Sequence, residues 1–587
     1  DSLQTLKDDA YDNAVGYYAD FINSFSFDDA LAGQVAELRF YMAEALLASL
    51  QYQKAIEAFE TYAYIDQVNP MAVEAAYAAI LAWQELLQLH NAGIADNAGG
   101  NELSLSYQQS QAKYIDAFPG DERALTIAVT LMQALYMQKD YISAMRWSSW
   151  ILEEASNMHQ LSYEQTESAL LVNAHGNFAL GNYVLAETSY DDLLRTLPKD
   201  DDRRDELNES LATAIYKQAE QSLRDQGLDQ AALANIDLQD VSLEEQQRQA
   251  LTQAIEHFAR LIDKTPDASS RVIAEYDITT YHALLGNWDK AIKGWLAFEK
   301  RYPDNDLSSN IKPQLLFAYE KTENWTPAAQ LLIEKYQQSP DSEEGRLSLY
   351  TAAEYFDKAN DRSRALDTYR RYAHAYEQPI AQANEARYRM SQFYLESGED
   401  TKRRFWLNKI MQAQLALSSA DPSNAGTPRS RYLAAMSAMV FAQDADYIFS
   451  HIKLTAPIDK SLRKKQKALE SAINAYDRVM SFAVAEYTTA ANFKLADLYA
   501  GLVNDLMDSE RPSGLSMLEL EQYDMLLEEQ AYPFEETAIQ IHEQNISRVQ
   551  KGLYDDYVKQ SFSALSRFMP ARYNKPEINP EVTINDL

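Results

Sequence analysis

The residues best suited to chemistry in this 587-residue chain are its acids and tyrosines, 88 Asp and Glu and 38 Tyr against eight His and no Cys. Without Cys there is no thiol nucleophile, no disulfide and no thiolate zinc site. His542-Glu543 opens like a zinc-binding helix, in which two His one turn apart hold the metal and the Glu acts on its water. The second ligand position, however, is Ile546, so His542 reads as a surface or groove histidine. Asp304-x-Asp306-x-Ser308-x-Asn310 has the opening rhythm of a calcium loop, oxygen ligands at alternate positions for a hard cation. Ser309 stands where that loop turns on Gly, and Leu315 where it closes with a bidentate Glu. It reads as an acidic, hydroxyl-rich connection between helices.

The other acids are equally unspecific. Asp200-Asp201-Asp202 beside Arg203-Arg204 is a loop of mutually compensating charge, and no glycosidase-like carboxylate pair stands out among so many. No phosphate-cradling glycine loop and no G-x-S-x-G elbow is present. Asn324-Trp-Thr326 and Asn545-Ile-Ser547 match the glycosylation acceptor pattern, which would be incidental if the chain were bacterial. No catalytic residue, metal ligand or cofactor site is assigned. The formal charge of −35 repels a nucleic-acid backbone. The densest basic stretch, Arg463-Lys464-Lys465 with Lys467, reads as the solvated face of a helix. No apolar run approaches the roughly 18 residues that span a bilayer, and Asp1-Ser2-Leu3-Gln4 carries no basic n-region. Its abrupt, already helical start is expected of a processed or trimmed N-terminus.

The elements that must position these side chains repeat. Gly181, Tyr183, Ala186, Tyr190, Leu193 and Pro198 match Gly286, Trp288, Ala291, Trp295, Phe298 and Pro303 at every offset. Gly allows the reversal between two helices. The aromatic, Ala and second aromatic then fall on one helix face, where the small residue lets a neighbour approach closely. Pro ends the helix. The Ala position recurs at Ala14, Ala55, Ala144, Ala186, Ala254, Ala291, Ala328 and Ala365, the last four 37 residues apart, and closing prolines include Pro70, Pro119, Pro266, Pro340 and Pro379. Ala, Leu, Gln, Glu and Met recur with only 17 Gly and 17 Pro, a composition that favours helix.

This frame resembles that of tetratricopeptide (TPR) proteins, whose motif places Gly, Tyr, Ala, Phe, Ala and Pro along the turn and second helix. First helices are less faithful: Ala174 and Ala353 match the family's small position, whereas Thr279 and Leu316 occupy it in neighbouring units. The resemblance covers roughly residues 10 to 400 and implies an all-α, right-handed TPR-like helical-hairpin solenoid of about nine or ten pairs, followed by a helical C-terminal module. First helices line the inner surface of such a stack, so Tyr281, Tyr319, Tyr355 and Tyr394 are candidate partner contacts, weighed against packing within the repeats.

The expected organisation is TPR-like repeats over 1–90, a Gly/Asn-rich loop over 91–102 and a central solenoid over 103–419, in 37-residue register from about 250 to 400. A linker at 420–429, a helical module over 430–569 and an extended tail over 570–587 complete it. In the module, separate helices are expected over 518–531 and from Pro533 to His542. Ser-Glu-Arg-Pro at 509–512, Leu-Glu-Glu-Gln-Ala-Tyr-Pro-Phe-Glu-Glu at 527–536 and Pro-Ala-Arg-Tyr at 570–573 resemble large Gram-negative envelope TPR proteins found with Tol/Ton-type motor or gliding-motility systems. That resemblance implies a scaffold for envelope motor or outer-membrane components, periplasmic or outer-membrane-associated. The alternatives are a helical-toroid carbohydrate-active enzyme and a cytosolic, peptide-binding TPR regulator.

Overall fold

A computed structural model describes residues 2–64, 71–93, 100–234, 236–420, 426–455 and 458–575. Its described residues contain helices and turns and no β-strand. They divide into two compact units, Asp1–Ile311 and Lys312–Leu587.

The first unit holds α1 (Ser2–Phe25), α2 (Ala32–Ala48), α3 (Tyr52–Tyr64), α4 (Ala72–Asn91), α5 (Gly100–Ala117), α6 (Glu122–Met137), α7 (Tyr141–Ser149), α8 (Ser156–Met158), α9 (Tyr163–Ala179) and α10 (Tyr183–Thr196). It continues through α11 (Arg204–Arg224), α12 (Gln230–Ala234), α13 (Glu245–Lys264), α14 (Arg271–Leu284) and α15 (Trp288–Arg301). The second holds α16 (Ile311–Lys321, starting at the boundary), α17 (Trp325–Gln338), α18 (Glu343–Lys358), α19 (Arg362–Ala375), α20 (Ile380–Glu396) and α21 (Asp400–Ala420). After these come α22 (Pro428–Ser450), α23 (Ile458–Ser481), α24 (Ala485–Met507), α25 (Met517–Ile546), α26 (Asp556–Phe568) and α27 (Pro570–Tyr573).

One turn geometry pairs the helices. Two residues before α3, α7, α10, α15, α17 and α19, the chain adopts a left-handed φ, at Leu50 (61°), Lys139 (64°), Gly181 (79°), Gly286 (76°), Glu323 (55°) and Asn360 (59°). The next residue (Gln51, Asp140, Asn182, Asn287, Asn324 or Asp361) donates its N–H to the carbonyl five positions back, at 2.8–3.0 Å. This satisfies carbonyls that a helix end otherwise leaves unpaired. Asp140 and Asp361 then cap the new helix, accepting from Ser143 N and Arg364 N at 3.1 and 3.0 Å.

The repeated alanine is the fourth residue of each of those six helices: Ala55, Ala144, Ala186, Ala291, Ala328 and Ala365, every one with 0% exposure. Ala254 within α13 is also fully buried, while Ala14 in the middle of α1 is half-buried. Pro119, Pro198, Pro266, Pro303 and Pro340 each follow a helix by two residues, and Pro379 immediately precedes α20. Pro70 lies outside the described residues.

Within each unit, helices pack on their chain neighbours, and α20, α22, α24 and α26 also touch in succession. That nearest-neighbour pattern is the solenoid arrangement, in which each pair completes the burial of the one before. Where the small position of α14 carries Thr279, α15 supplies the space: a Cβ on Gly294 would lie 2.1 Å from Thr279 Cγ2. Leu316 of α16 packs, partly buried, against the apolar core of the second unit.

The 91–102 segment begins in the last residue of α4 and ends within α5, and residues 94–99 lie outside the described ones. The 420–429 segment lies within the second unit, and its residues 421–425 are likewise outside. Of the 570–587 tail, Pro570–Tyr573 is a helical turn and 576–587 lies outside. The two helices expected on either side of Pro533 are one helix, α25, with the proline inside it. Proline removes a single N–H; the packing of α25 on α24 along Leu527, Ala531 and Ala538 holds the chain helical across that gap.

Candidate functional site

The four tyrosines weighed as partner contacts do not form one surface. Tyr281, Tyr319 and Tyr394 are 6%, 8% and 4% exposed. The ring of Tyr281 lies 5.9 Å from that of Phe258, and the Tyr394 hydroxyl accepts from Arg370 at 3.1 Å. Aromatics with this little exposure act by packing between helices. Tyr355 is half-buried and belongs to a polar–aromatic cluster. It donates to Glu320 at 2.6 Å and lies 5.1 Å from the Trp325 ring, which the Lys358 ammonium approaches to 4.5 Å. Burial and the neighbouring Glu320 push the Tyr355 phenol well above its ordinary range.

The other repeat positions, Gly181, Tyr183, Gly286 and Trp288, form the turn and first residue of second helices, as described above.

The first helices of unit one carry acids of two kinds. Between α11 and α14, the Tyr216 hydroxyl donates to Asp277 at 3.3 Å. Burial lifts Asp277 to about 6; the tyrosine hydrogen bond opposes that shift and the Glu220 charge adds to it. Glu220 is itself paired with Lys217. Asp277 and Glu220 therefore do not make an acid–base pair: one is capped by a phenol and the other neutralised by an amine. Nearby, Phe178, Tyr190, Glu206, Glu209, Ser210 and Thr213 line a cavity of about 280 Å³. Glu209 is held at its rim by the N–H and hydroxyl of Ser269, at 2.6 and 2.8 Å. That volume stands at the bottom of the range of small-molecule pockets, which begins at roughly 300 Å³.

Two sequence readings are corrected. Lys465 is not on a solvated face: it is 0% exposed, donates to the Phe449 and Ile452 carbonyls at 3.1 and 2.7 Å, and pairs with Asp505. Its position on the inner face of α23, beside Leu469 and Ala472, carries it under the end of α22. His542 is a core residue between the rings of Phe493 and Phe568, 5.7 and 6.3 Å away. Burial and the Arg567 charge hold it near 4, and thus neutral. In the calcium-like segment, Asn305 accepts from Leu307 N at 3.0 Å and starts a short 3₁₀ turn over Asp306–Asn310. Asp277 was missed from the sequence; it has no motif, since only the neighbouring helix shields it.

No protein-family model matches the sequence, and no curated protein matches it. Among solved structures, the chain is similar to Naa15/Naa10 bound to HypK-THB at 13% identity, covering 96% of this chain and 79% of that one, with a TM-score of 0.24. Yeast Tom70 is 12% identical over 84% of this chain and 96% of its own, with a TM-score of 0.21. The TPR domain of P58(IPK) is 14% identical over 70% and 99%, at 0.17. Overlays at these scores carry no argument about architecture or role, which rest on the chain's own helices.

Proposed function

We propose that this chain is a non-catalytic protein-interaction scaffold that holds components of a multiprotein complex together in a Gram-negative cell envelope. The observation that carries the reading is the recurrence of one turn and one fully buried alanine seat from α3 to α19. A chain built this way commits its small and aromatic residues to pair-on-pair packing and leaves rows of outer side chains for other proteins. Polar groups that enter the interior, such as Asp277 and Lys465, are hydrogen-bonded by neighbouring helices, and His542 packs between aromatic rings.

The envelope location, and partners among motor or outer-membrane components, are supported by the three C-terminal segments that resemble such proteins. All three meet on α25. Arg511 of the first donates to Asp524 at 2.7 Å, the second lies within α25, and Arg572 and Tyr573 of the third donate to Glu543 at 2.6 and 2.8 Å. Described helices include none long and apolar enough to cross a membrane, so attachment would run through partners or through chain outside these residues.

In-cell crosslinking of the natural chain, followed by spheroplast fractionation, tests both parts. The expected result is crosslinked protein in the periplasmic or outer-membrane fraction. Recovery in the cytosol refutes the location and favours the regulatory reading; recovery without crosslinked protein refutes the scaffold.

A further inference from the structure

Among the described residues, nothing covers one flank of α25. α25 runs for 30 residues and buries Leu527, Ala531, Ala538, His542 and Asn545. The 13-residue α26 adds to that same buried face toward the end of α25, where Asn545 donates to Ser561 at 2.9 Å and His542 meets Phe568. Along the first half, Leu518, Met525, Leu526 and Tyr532 are 66%, 64%, 58% and 65% exposed. Leu518, Met525 and Tyr532 recur every seventh residue and so form one row, with Leu526 on a neighbouring row about 100° round the helix from Met525. Large apolar side chains this exposed are unusual on the outer face of a helix stack.

Charge decides what fits it. Exposed Glu519, Glu521 and Glu528 lie beside these residues and exposed Glu529 lies among them, and no Lys or Arg occurs from Pro512 to Ser547. Asp524 already has its cation in Arg511. A second copy of this chain, at −35, or an anionic lipid surface would bring like charge against the rim. Residues 576–587 contain acids and no base, so the same repulsion applies to them. Unbranched Met adapts to varied apolar surfaces, and apolar side chains set among acids suit a helix that is apolar on one face and basic on the other.

We infer that the first half of α25 is a docking surface for a basic amphipathic helix of a partner protein, a site that deepens the scaffold reading and rests on it. The probe is a synthetic helix of about five turns with Leu at i, i+3, i+4 and i+7 and Lys elsewhere. Its controls are a scrambled peptide of equal composition and a Glu-for-Lys version. Each is titrated against the full chain by fluorescence anisotropy, alongside Leu518→Ser/Met525→Ser/Leu526→Ser, which leaves the net charge unchanged, and Glu521→Gln/Glu528→Gln.

The Lys/Leu helix should bind on the order of ten-fold tighter than either control. The triple Ser variant should lose most of that margin, and the double Gln variant should weaken binding and flatten its dependence on salt. Hydrogen exchange across α25 checks that the variants stay folded. Equal binding by wild type and triple Ser variant, or equal binding of the Glu version, overturns the inference. So does self-association that the triple Ser variant abolishes, which assigns the face to a second copy. In-cell crosslinking separates the two readings: adducts retained in the triple Ser variant remove this site and leave the scaffold standing, whereas no adducts in wild type remove the scaffold.

Discussion

The fit of Thr279 against Gly294 predicts a change of sign. Gly in the interior of a helix is less favourable than Ala by about 1 kcal/mol, so Gly294→Ala would ordinarily stabilise α15. Here the new Cβ would stand 2.1 Å from Thr279 Cγ2. Thr279 cannot swing aside freely, because it is β-branched and its hydroxyl donates to the Tyr276 carbonyl at 2.6 Å. Overpacking of this kind costs about 1–3 kcal/mol, so the substitution should destabilise by roughly 1 kcal/mol net. Thr279→Ser keeps the hydroxyl and removes Cγ2, leaving Cβ at 3.1 Å as the nearest of the remaining Thr279 atoms. In that background Gly294→Ala should stabilise, giving a coupling of about 2 kcal/mol in the double-mutant cycle. Repeat arrays do not unfold as one unit, so the readout is native-state hydrogen exchange of α14 and α15 amides. Increased protection in both backgrounds, or a coupling under about 0.5 kcal/mol, refutes the account of how Thr279 is accommodated.

Other consequences follow from the turns and buried ionisable groups. Lys139→Gly and Glu323→Gly should each stabilise their turn by about 0.5–1 kcal/mol and Gly286→Ala should cost about as much, all three being left-handed positions readable by local exchange. Asp277, raised to about 6 in the folded chain, ionises later there than when unfolded. Its region should therefore lose stability as pH rises from about 4 to 6, by up to roughly 2 kcal/mol, and Asp277→Asn should remove that slope from exchange at α11 and α14. His542, held near 4, reverses the sign: the packing of α24–α26 should be fully stable above about 6.5 and weaken as pH falls toward 4, a trend that His542→Gln should flatten. Lys465→Met should cost about 2–3 kcal/mol, because the Phe449 and Ile452 carbonyls lose their donor, measured as faster exchange at the end of α22.

The helix pairing was legible because its signal is periodic. Gly181 and Gly286 announce the turn, and the alanines fix the face. Leu50, Lys139, Glu323 and Asn360 make the same turn with no such advertisement; they became legible only through the alanine that follows each by five residues. Pro533 misled the reading for a physical reason: local chemistry favours a break there, and packing on α24 overrides it. Lys465 and His542 misled it in the other direction. Each looks like a surface group in one dimension and becomes buried because the next helix lies across it. The uncovered stripe on α25 was present in the spacing of Leu518, Met525 and Tyr532, but an amphipathic stripe predicts burial by default. It stays in solvent because Leu527, Ala531 and Ala538 turn the opposite face of α25 toward the core.

That distinction bears on where such a chain carries its specificity. The turn tolerates Gly, Leu, Lys, Glu and Asn, so its geometry is imposed by the helices on either side rather than by one required residue. A frame this permissive constrains the seats between helices and leaves the outer positions free to diverge, which is why pairing can be read where a partner cannot. Specific recognition should then concentrate where stacking stops completing itself. Within the second unit that place is the first half of α25, where exposed large apolar side chains and an unbroken run without Lys or Arg coincide. If recognition were instead spread along the first helices, Tyr281, Tyr319 and Tyr394 would stand in solvent; they are packed away.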